Sequence, residues 1–162
     1  MTLRVGQGID IHPFSDDPDR PLVLGGVVVP GSPGLAGHSD GDAVAHALAD
    51  ALLGAAGLGD LGGHFPDSDP RWSGADSLAL LSQVVEMVSG HGLRVVNADC
   101  TVVTEAPRLA PYSRRMAERV AAVLGAPVSV KATRAEGLGA LGRGEGLVCT
   151  AVVLLDAVPE AP

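Results

Sequence analysis

Between positions 38 and 54 the chain reads His-Ser-Asp-Gly-Asp-Ala-Val-Ala-His-Ala-Leu-Ala-Asp-Ala-Leu-Leu-Gly. Val44, Ala47, Leu48, Ala51, Leu52 and Ala55 recur at i, i+3, i+4, i+7, i+8 and i+11, the apolar stripe of an amphipathic helix. Ser39 or Asp40 is placed to cap its N-terminus. Asp42, His46 and Asp50 fall on the opposite face at i, i+4 spacing, which reads either as a solvated polar face or as part of a site. Upstream, positions 3–11 alternate as a strand does, so Asp10 and His12 project to one side. Strands at 21–24 and 27–30 flank Gly25-Gly26, a two-residue hairpin signature. A second helix follows over about 76–89, with Leu78, Leu81, Val85 and Val88 as its stripe and Gly90 or Gly92 as its stop. Then come a strand at 95–104, a helix at about 111–124, and strands at 128–133 and 147–158.

Helices and strands intermix without a regular βαβ cadence. The expectation is an α+β fold: two layers, a mixed β-sheet with helices on one face. The 162 residues suit a single catalytic domain over positions 1–162, without repeats or linkers, ending in a frayed tail at 159–162.

Charge and composition narrow the chemistry. The net charge is −8 and the basic residues are scattered, which argues against a nucleic-acid surface. Aromatic residues are only 2%, so bases have no stacking platform. Any phosphate must therefore be held locally, by metal, backbone N–H groups or a few cations. The chain shows no apolar run of 18 residues and no membrane association is expected; a cytoplasmic protein is. Cys100 and Cys149 sit in apolar runs without CxxC spacing and read as core thiols.

A carboxylate and an imidazole two apart on a strand, joined by His46 from the helix, make a His₂/Asp set. Three such ligands leave one tetrahedral position open, as a catalytic zinc site does. The alternative is a plain Asp–His hydrogen bond at a strand end. Two literal G-x-G-x-x-G runs do not signal a dinucleotide. The one at Gly57, Gly59 and Gly62 follows a helix, and the one at Gly137, Gly139 and Gly142 precedes a strand. The acids of the 57–70 loop suit sugar hydroxyls, a hard cation or Asx turns. The 134–145 loop carries Arg134, Glu136, Arg143 and Glu145; it either brings donors and charges against a phosphate or is a solvated connection.

These motifs together resemble the 2-C-methyl-D-erythritol 2,4-cyclodiphosphate synthases. The likeness rests on Asp10-Ile-His12, the run from His38 to His46 continuing through Asp50-Ala-Leu-Leu-Gly-Ala55, Gly59-Asp-Leu-Gly62 and Phe65-Pro-Asp-Ser-Asp-Pro70. It continues through Gly74-Ala-Asp-Ser77, Ala106-Pro107 and Gly142-Arg-Gly-Glu-Gly146, in collinear order. The resemblance implies an enzyme that converts 4-diphosphocytidyl-2-C-methyl-D-erythritol 2-phosphate into the 2,4-cyclodiphosphate and releases CMP, on the methylerythritol phosphate route to isoprenoids. It implies a homotrimer with sites shared between neighbours, and one zinc per subunit on Asp10, His12 and His46. A magnesium or manganese ion is implied near Glu136, with the nucleotide phosphates.

By the same resemblance His38 and Ser39, at the start of the helix where the dipole favours anions, contact phosphate and help to stabilise the transition state. Asp60, Leu61, Gly62, Phe65, Pro66, Asp67, Ser68 and Asp69 match the segment that holds the methylerythritol part. Thr104, Glu105, Ala106, Pro107, Arg108, Leu109 and Ala110, with Thr133, Arg134, Ala135 and Glu136, match the cytidine and diphosphate segments. Ala140 and Arg143 complete the implied set.

The chain departs from the family pattern at three places. Arg134 stands where a phosphate-binding Thr is usual, longer and permanently charged but able to bind phosphate bidentately. Ala140 replaces a bulky residue at the wall of the central trimer cavity, and Ala43 replaces Val. The Arg134-Ala135 pair supports the alternative of a metal-binding trimer with impaired catalysis. A generic zinc hydrolase would need a general base beside the metal.

Overall fold

The computed structural model describes residues 2–158; the expected frayed tail lies outside the described residues. Strand β1 (Leu3–Pro13) runs along one edge of a four-stranded sheet. A separate hairpin follows, β2 (Pro21–Leu24) and β3 (Val27–Pro33), three residues longer at its end than its apolar run suggests. Gly25 and Gly26 both adopt left-handed backbone, φ 54° and 68°, as a tight turn between twisted antiparallel strands requires.

Then come helix α1 (Ala43–Ala56), a single turn α2 (Leu61–His64), a 3₁₀ turn at Pro70–Trp72 and helix α3 (Ser77–Gly90). Strand β4 (Leu93–Val103), helix α4 (Ser113–Leu124), strand β5 (Val128–Thr133), the short α5 (Gly139–Gly142) and strand β6 (Gly146–Ala157) complete the chain. Sheet order is β1-β6-β4-β5. β6 pairs antiparallel with β1 and β4, and β5 joins β4 in parallel. The α+β fold with a mixed sheet is as expected.

Alternation along β6 sorts the two faces. Leu147, Cys149, Ala151, Val153 and Leu155 are buried, with Val44, Leu48 and Leu52 of α1 in the same core. Both cysteines are free and buried. On the other face Val5, Ile9 and Ile11 are 69%, 49% and 65% exposed. No helix among the described residues is long and apolar enough to cross a membrane.

Two expectations need correcting. The cap of α1 is Asp42, not Ser39 or Asp40. Of the two readings of that helix's polar face, the solvated one falls away, because Asp42, His46 and Asp50 are each hydrogen-bonded elsewhere in the fold. And the buried stripe of α3 is Leu80, Leu81, Val84 and Val88, while Leu78 and Val85 lie only half-buried at its margin.

Candidate active site

The inward face of β1 carries Gly6, Gly8, Asp10 and His12 in alternation. The two glycines let α1 lie directly on strand backbone. A Cβ on Gly6 would sit 1.9 Å from the Ala51 carbonyl oxygen, and one on Gly8 would sit 1.9 Å from that of Ala47. This close seat brings His46, one residue before Ala47, down to the end of the strand. His46 Nδ1 lies 3.1 Å and His12 Nε2 2.9 Å from Asp10 Oδ2. Asp10, His12 and His46 thus each offer a ligand atom within 4.8 Å of the others.

The hydrogen bonds around the triad set its lone pairs. His12 Nδ1 lies 2.6 Å from the Ala36 carbonyl oxygen, which can only accept, so Nδ1 carries a proton. In the neutral ring Nε2 then presents its lone pair toward a carboxylate, and that buried atom has no aligned hydrogen-bond partner. The proximity of Asp10 raises His12, against the opposing effect of burial. Burial, the largest single influence on Asp10, raises it. The hydrogen bonds and charges of His12 and His46 outweigh that and hold it at about 2. Three converging donors, one of them orphaned, fit a divalent cation of the tetrahedral N/O-liganded kind.

Asp42 ties the start of α1 to the hairpin. Its Oδ1 accepts from Val44 N, Ala45 N and Gly25 N, and its Oδ2 from Gly26 N at 2.6 Å. Burial pushes its carboxyl up to about 6, against the pull of those amides. This corrects the expectation that the helix N-terminus faces an anion. The first-turn amides of Val44 and Ala45 are already taken by a buried carboxylate. Asp50, third on that face, accepts from Leu61 N at 2.7 Å and fixes α2.

A cavity of about 280 Å³ opens over the triad. Asp10, His12, His38, Ser39, His46, Leu61, Phe65 and Asp67 line it, joined by Gly37, Trp72 and Leu80, which sequence reasoning missed. Trp72 stacks edge-on against Phe65, centroids 5.0 Å apart. Its signal was its place as the sole tryptophan beside the acidic loop. The other loop residues are not among the lining. Asp60 caps α2 through Gly63 N, and Asp69 caps the 3₁₀ turn and pairs with Arg71. Gly62, Pro66 and Ser68 are likewise outside it.

Residues 3–156 match the YgbB family. The chain belongs to that family. Relatives named 2-C-methyl-D-erythritol 2,4-cyclodiphosphate synthase include one from Moorella thermoacetica, 56% identical over 156 residues and 94% of each chain. Another, from Marinobacter nauticus, is 51% identical over 161 residues, 98% of this chain and 100% of that one. A solved CDP-bound form of such a synthase superposes with a TM-score of 0.85 at 36% identity, covering 94% of this chain and all of that one. The resemblance read from the motifs is borne out.

A second cavity in this YgbB-family chain, about 490 Å³, lies between the loop after β4 and strand β5. Thr104, Glu105, Pro107, Arg108, Leu109, Ala110, Thr133 and Arg134, all named above among the implied residues, line it together with Ser113, Val130, Lys131 and Ala132. Lys131 is ion-paired to Asp99. Ala106 lies outside the lining, its carbonyl accepting from Thr104 Oγ1 at 2.5 Å. Ala135, Glu136, Ala140 and Arg143 line neither cavity. Glu136 holds left-handed backbone at φ 53°, an uncommon conformation for a side chain of this kind. Arg143 is paired to Glu145 at 2.6 Å. The two cavities share no residue, so within one chain the Arg134 group and the triad belong to different hollows.

Proposed function

We propose that this chain converts 4-diphosphocytidyl-2-C-methyl-D-erythritol 2-phosphate into 2-C-methyl-D-erythritol 2,4-cyclodiphosphate and CMP. The observation that carries this reading is the Asp10, His12 and His46 triad under a 280 Å³ cavity, in a family whose relatives bear that synthase name. An oxygen of the substrate's own 2-phosphate attacks the β-phosphorus. The bond from that phosphorus to the oxygen bridging to CMP breaks, and CMP leaves with the electron pair. No protein nucleophile is needed, so the residues contribute positioning and charge neutralisation.

Zinc held by Asp10, His12 and His46 would supply a Lewis acid for the β-phosphate. His38 and Ser39, at the mouth of the triad, would bind phosphate oxygens. Asp67, with the apolar walls Leu61, Phe65 and Leu80, would hold the methylerythritol part. The 490 Å³ cavity would take the cytidine, with Arg134 in place of a neutral hydroxyl as the phosphate contact. Among the described residues the triad is the one group of three or more clustered side chains that could hold a metal. Glu136 therefore offers a lone carboxylate, which suits a magnesium or manganese ion held mainly by the nucleotide phosphates.

Two features support a homotrimer with shared sites. The outer face of β1 carries an exposed apolar row, Val5, Ile9 and Ile11, of the kind that a partner covers. The separation of the two cavities is what a site completed across an interface would leave in each chain. The reaction and its small-molecule substrate also agree with a cytoplasmic enzyme. The test of the function is to incubate the purified protein with the cytidyl substrate, zinc and magnesium, and to follow phosphorus by NMR. Growth of the cyclic diphosphate and CMP signals is expected; intact substrate after prolonged incubation would refute it. Mixing His12→Ala with Arg108→Ala protein should restore part of the activity, and a fully active monomer by light scattering would exclude shared sites.

A further inference from the structure

His46 touches more than Asp10. If its Nδ1 lone pair is to face a metal, the ring's single proton must sit on Nε2, and that N–H needs an acceptor. Two hydroxyls are in reach: Ser77 Oγ at 2.8 Å and Ser39 Oγ at 3.1 Å. They are not equivalent. Ser77, first residue of α3 and 1% exposed, lies with Oγ 2.5 Å from Asp40 Oδ1 and donates to it. Its proton is committed to that carboxylate, which leaves its lone pairs for His46. Asp40 is itself fixed, accepting from Ser77 N through Oδ2 and from Asp42 N through Oδ1.

We propose that Ser77 and Asp40 are positioning residues for the metal ligand His46, a chain Asp40···Ser77···His46 that locks the ring as the Nε2–H tautomer with Nδ1 free for the ion. The inference rests on the metal reading given above. A carboxylate behind a hydroxyl makes that oxygen a better acceptor, and a bonded Nε2–H makes Nδ1 a better donor, as outer partners of metal-bound histidines generally do. It also divides two neighbouring serines by role. Ser77 is spent on the ring. Ser39 Oγ accepts from Gly41 N at 3.2 Å and keeps its own proton for a ligand oxygen in the cavity. The arrangement lists the residue types of a serine hydrolase but runs the other way, since the serine proton points to the carboxylate and not to the imidazole. Ser77 is no nucleophile.

The experiment combines long-range ¹H–¹⁵N spectra of the imidazoles with zinc titration against a chromophoric chelator, on the full chain. With zinc bound, the parent should show His46 ligated through Nδ1 with its proton on Nε2; without zinc, Asp10 Oδ2 at 3.1 Å competes for a proton on Nδ1. Ser77→Ala should raise the zinc Kd about 10–100-fold while still taking one ion per chain at saturation. Ser77→Thr, which keeps the hydroxyl, should stay within about threefold of the parent, a rescue that a purely structural role would not predict. A zinc-loaded parent in which His46 is ligated through Nε2, or a Ser77→Ala Kd equal to the parent's, overturns the proposal. A parent that binds no zinc, or whose zinc binding survives His12→Ala unchanged, overturns the metal reading itself and this inference with it. The parent spectra decide the tautomer even if Ser77→Ala fails to fold.

Discussion

Gly8→Ala tests whether the seat of α1 on bare strand backbone builds the metal site. The added Cβ would lie 1.9 Å from Ala47 O and 2.8 Å from Ala51 N, and real Cβ contacts essentially never fall under 3.0 Å. The obstacle is helix backbone, so no rotamer change relieves it. Helix and strand must part by about 1.1 Å to reach that limit. Neither gives easily, since β1 pairs with β6 along its whole length and α1 buries ten of its residues. Overpacking of this kind costs roughly 1–3 kcal/mol, and a backbone obstacle places it at the upper end. For a domain of this size that lowers Tm by about 6–12 °C, at ~2–4 °C per kcal/mol. His46 moves with the helix while Asp10 and His12 stay with the strand. Metal sites tolerate only about ±0.2 Å, so zinc affinity should fall at least ~10-fold in protein that remains folded. Thermal unfolding without metal and a zinc titration measure the two effects separately. Gly54→Ala is the internal control: a Cβ there meets nothing within 4 Å, and in the last turn of α1 the change should be neutral or stabilise by up to about 0.8 kcal/mol. A Gly8→Ala protein with Tm within about 2 °C of the parent and undiminished zinc affinity would refute the reasoning.

Three further outcomes are expected. His46→Ala should lose both bound zinc and turnover; unchanged zinc by elemental analysis would remove His46 from the site. Asp42, raised by burial to about 6, contributes stability that is fully present below its unfolded value near 3.8 and is lost as pH rises through about 6. The stability difference between parent and Asp42→Asn should therefore shrink from pH 4 to pH 7, by on the order of 3 kcal/mol at ~1.4 kcal/mol per unit; a difference that grows with pH would mean the four amides outweigh burial. Arg134→Ala should cost about 10–100-fold in kcat/KM and Arg134→Thr recover much of it, whereas steady-state constants within about twofold of the parent for both would leave Arg134 without a phosphate role.

Much of the site was legible because its periodicities are local. Two residues two apart on a strand and one on a helix face were enough to propose the triad. What could not be read is where long-range contacts decide. Ser39, Asp40 and Asp42 are all competent caps, and the choice falls to Asp42 because a hairpin turn 16 and 17 residues away needs acceptors for two amides. Gly6 and Gly8 read as ordinary strand alternation; only the approach of α1 shows why side chains are excluded there. Leu80 escaped notice because the α3 stripe was placed one side too far toward Leu78 and Val85. Lys131, Val130 and Ala132 line the second cavity because parallel pairing with β4 brings β5 beside the 104–110 loop, a neighbour no local pattern announces.

β1 carries two messages on one stretch of chain. One set of side chains, Gly6, Gly8, Asp10 and His12, faces the helix, and the other, Val5, Ile9 and Ile11, faces outward. A slip of one residue against β6 would exchange the sets completely. It would press isoleucine against α1 and turn the ligands away from His46. The candidate metal triad therefore doubles as a register check: only one of the possible alignments of β1 assembles it. A single-residue insertion before Asp10 should be far more damaging than most substitutions within the strand, and zinc, by binding the correct alignment alone, would favour it during folding.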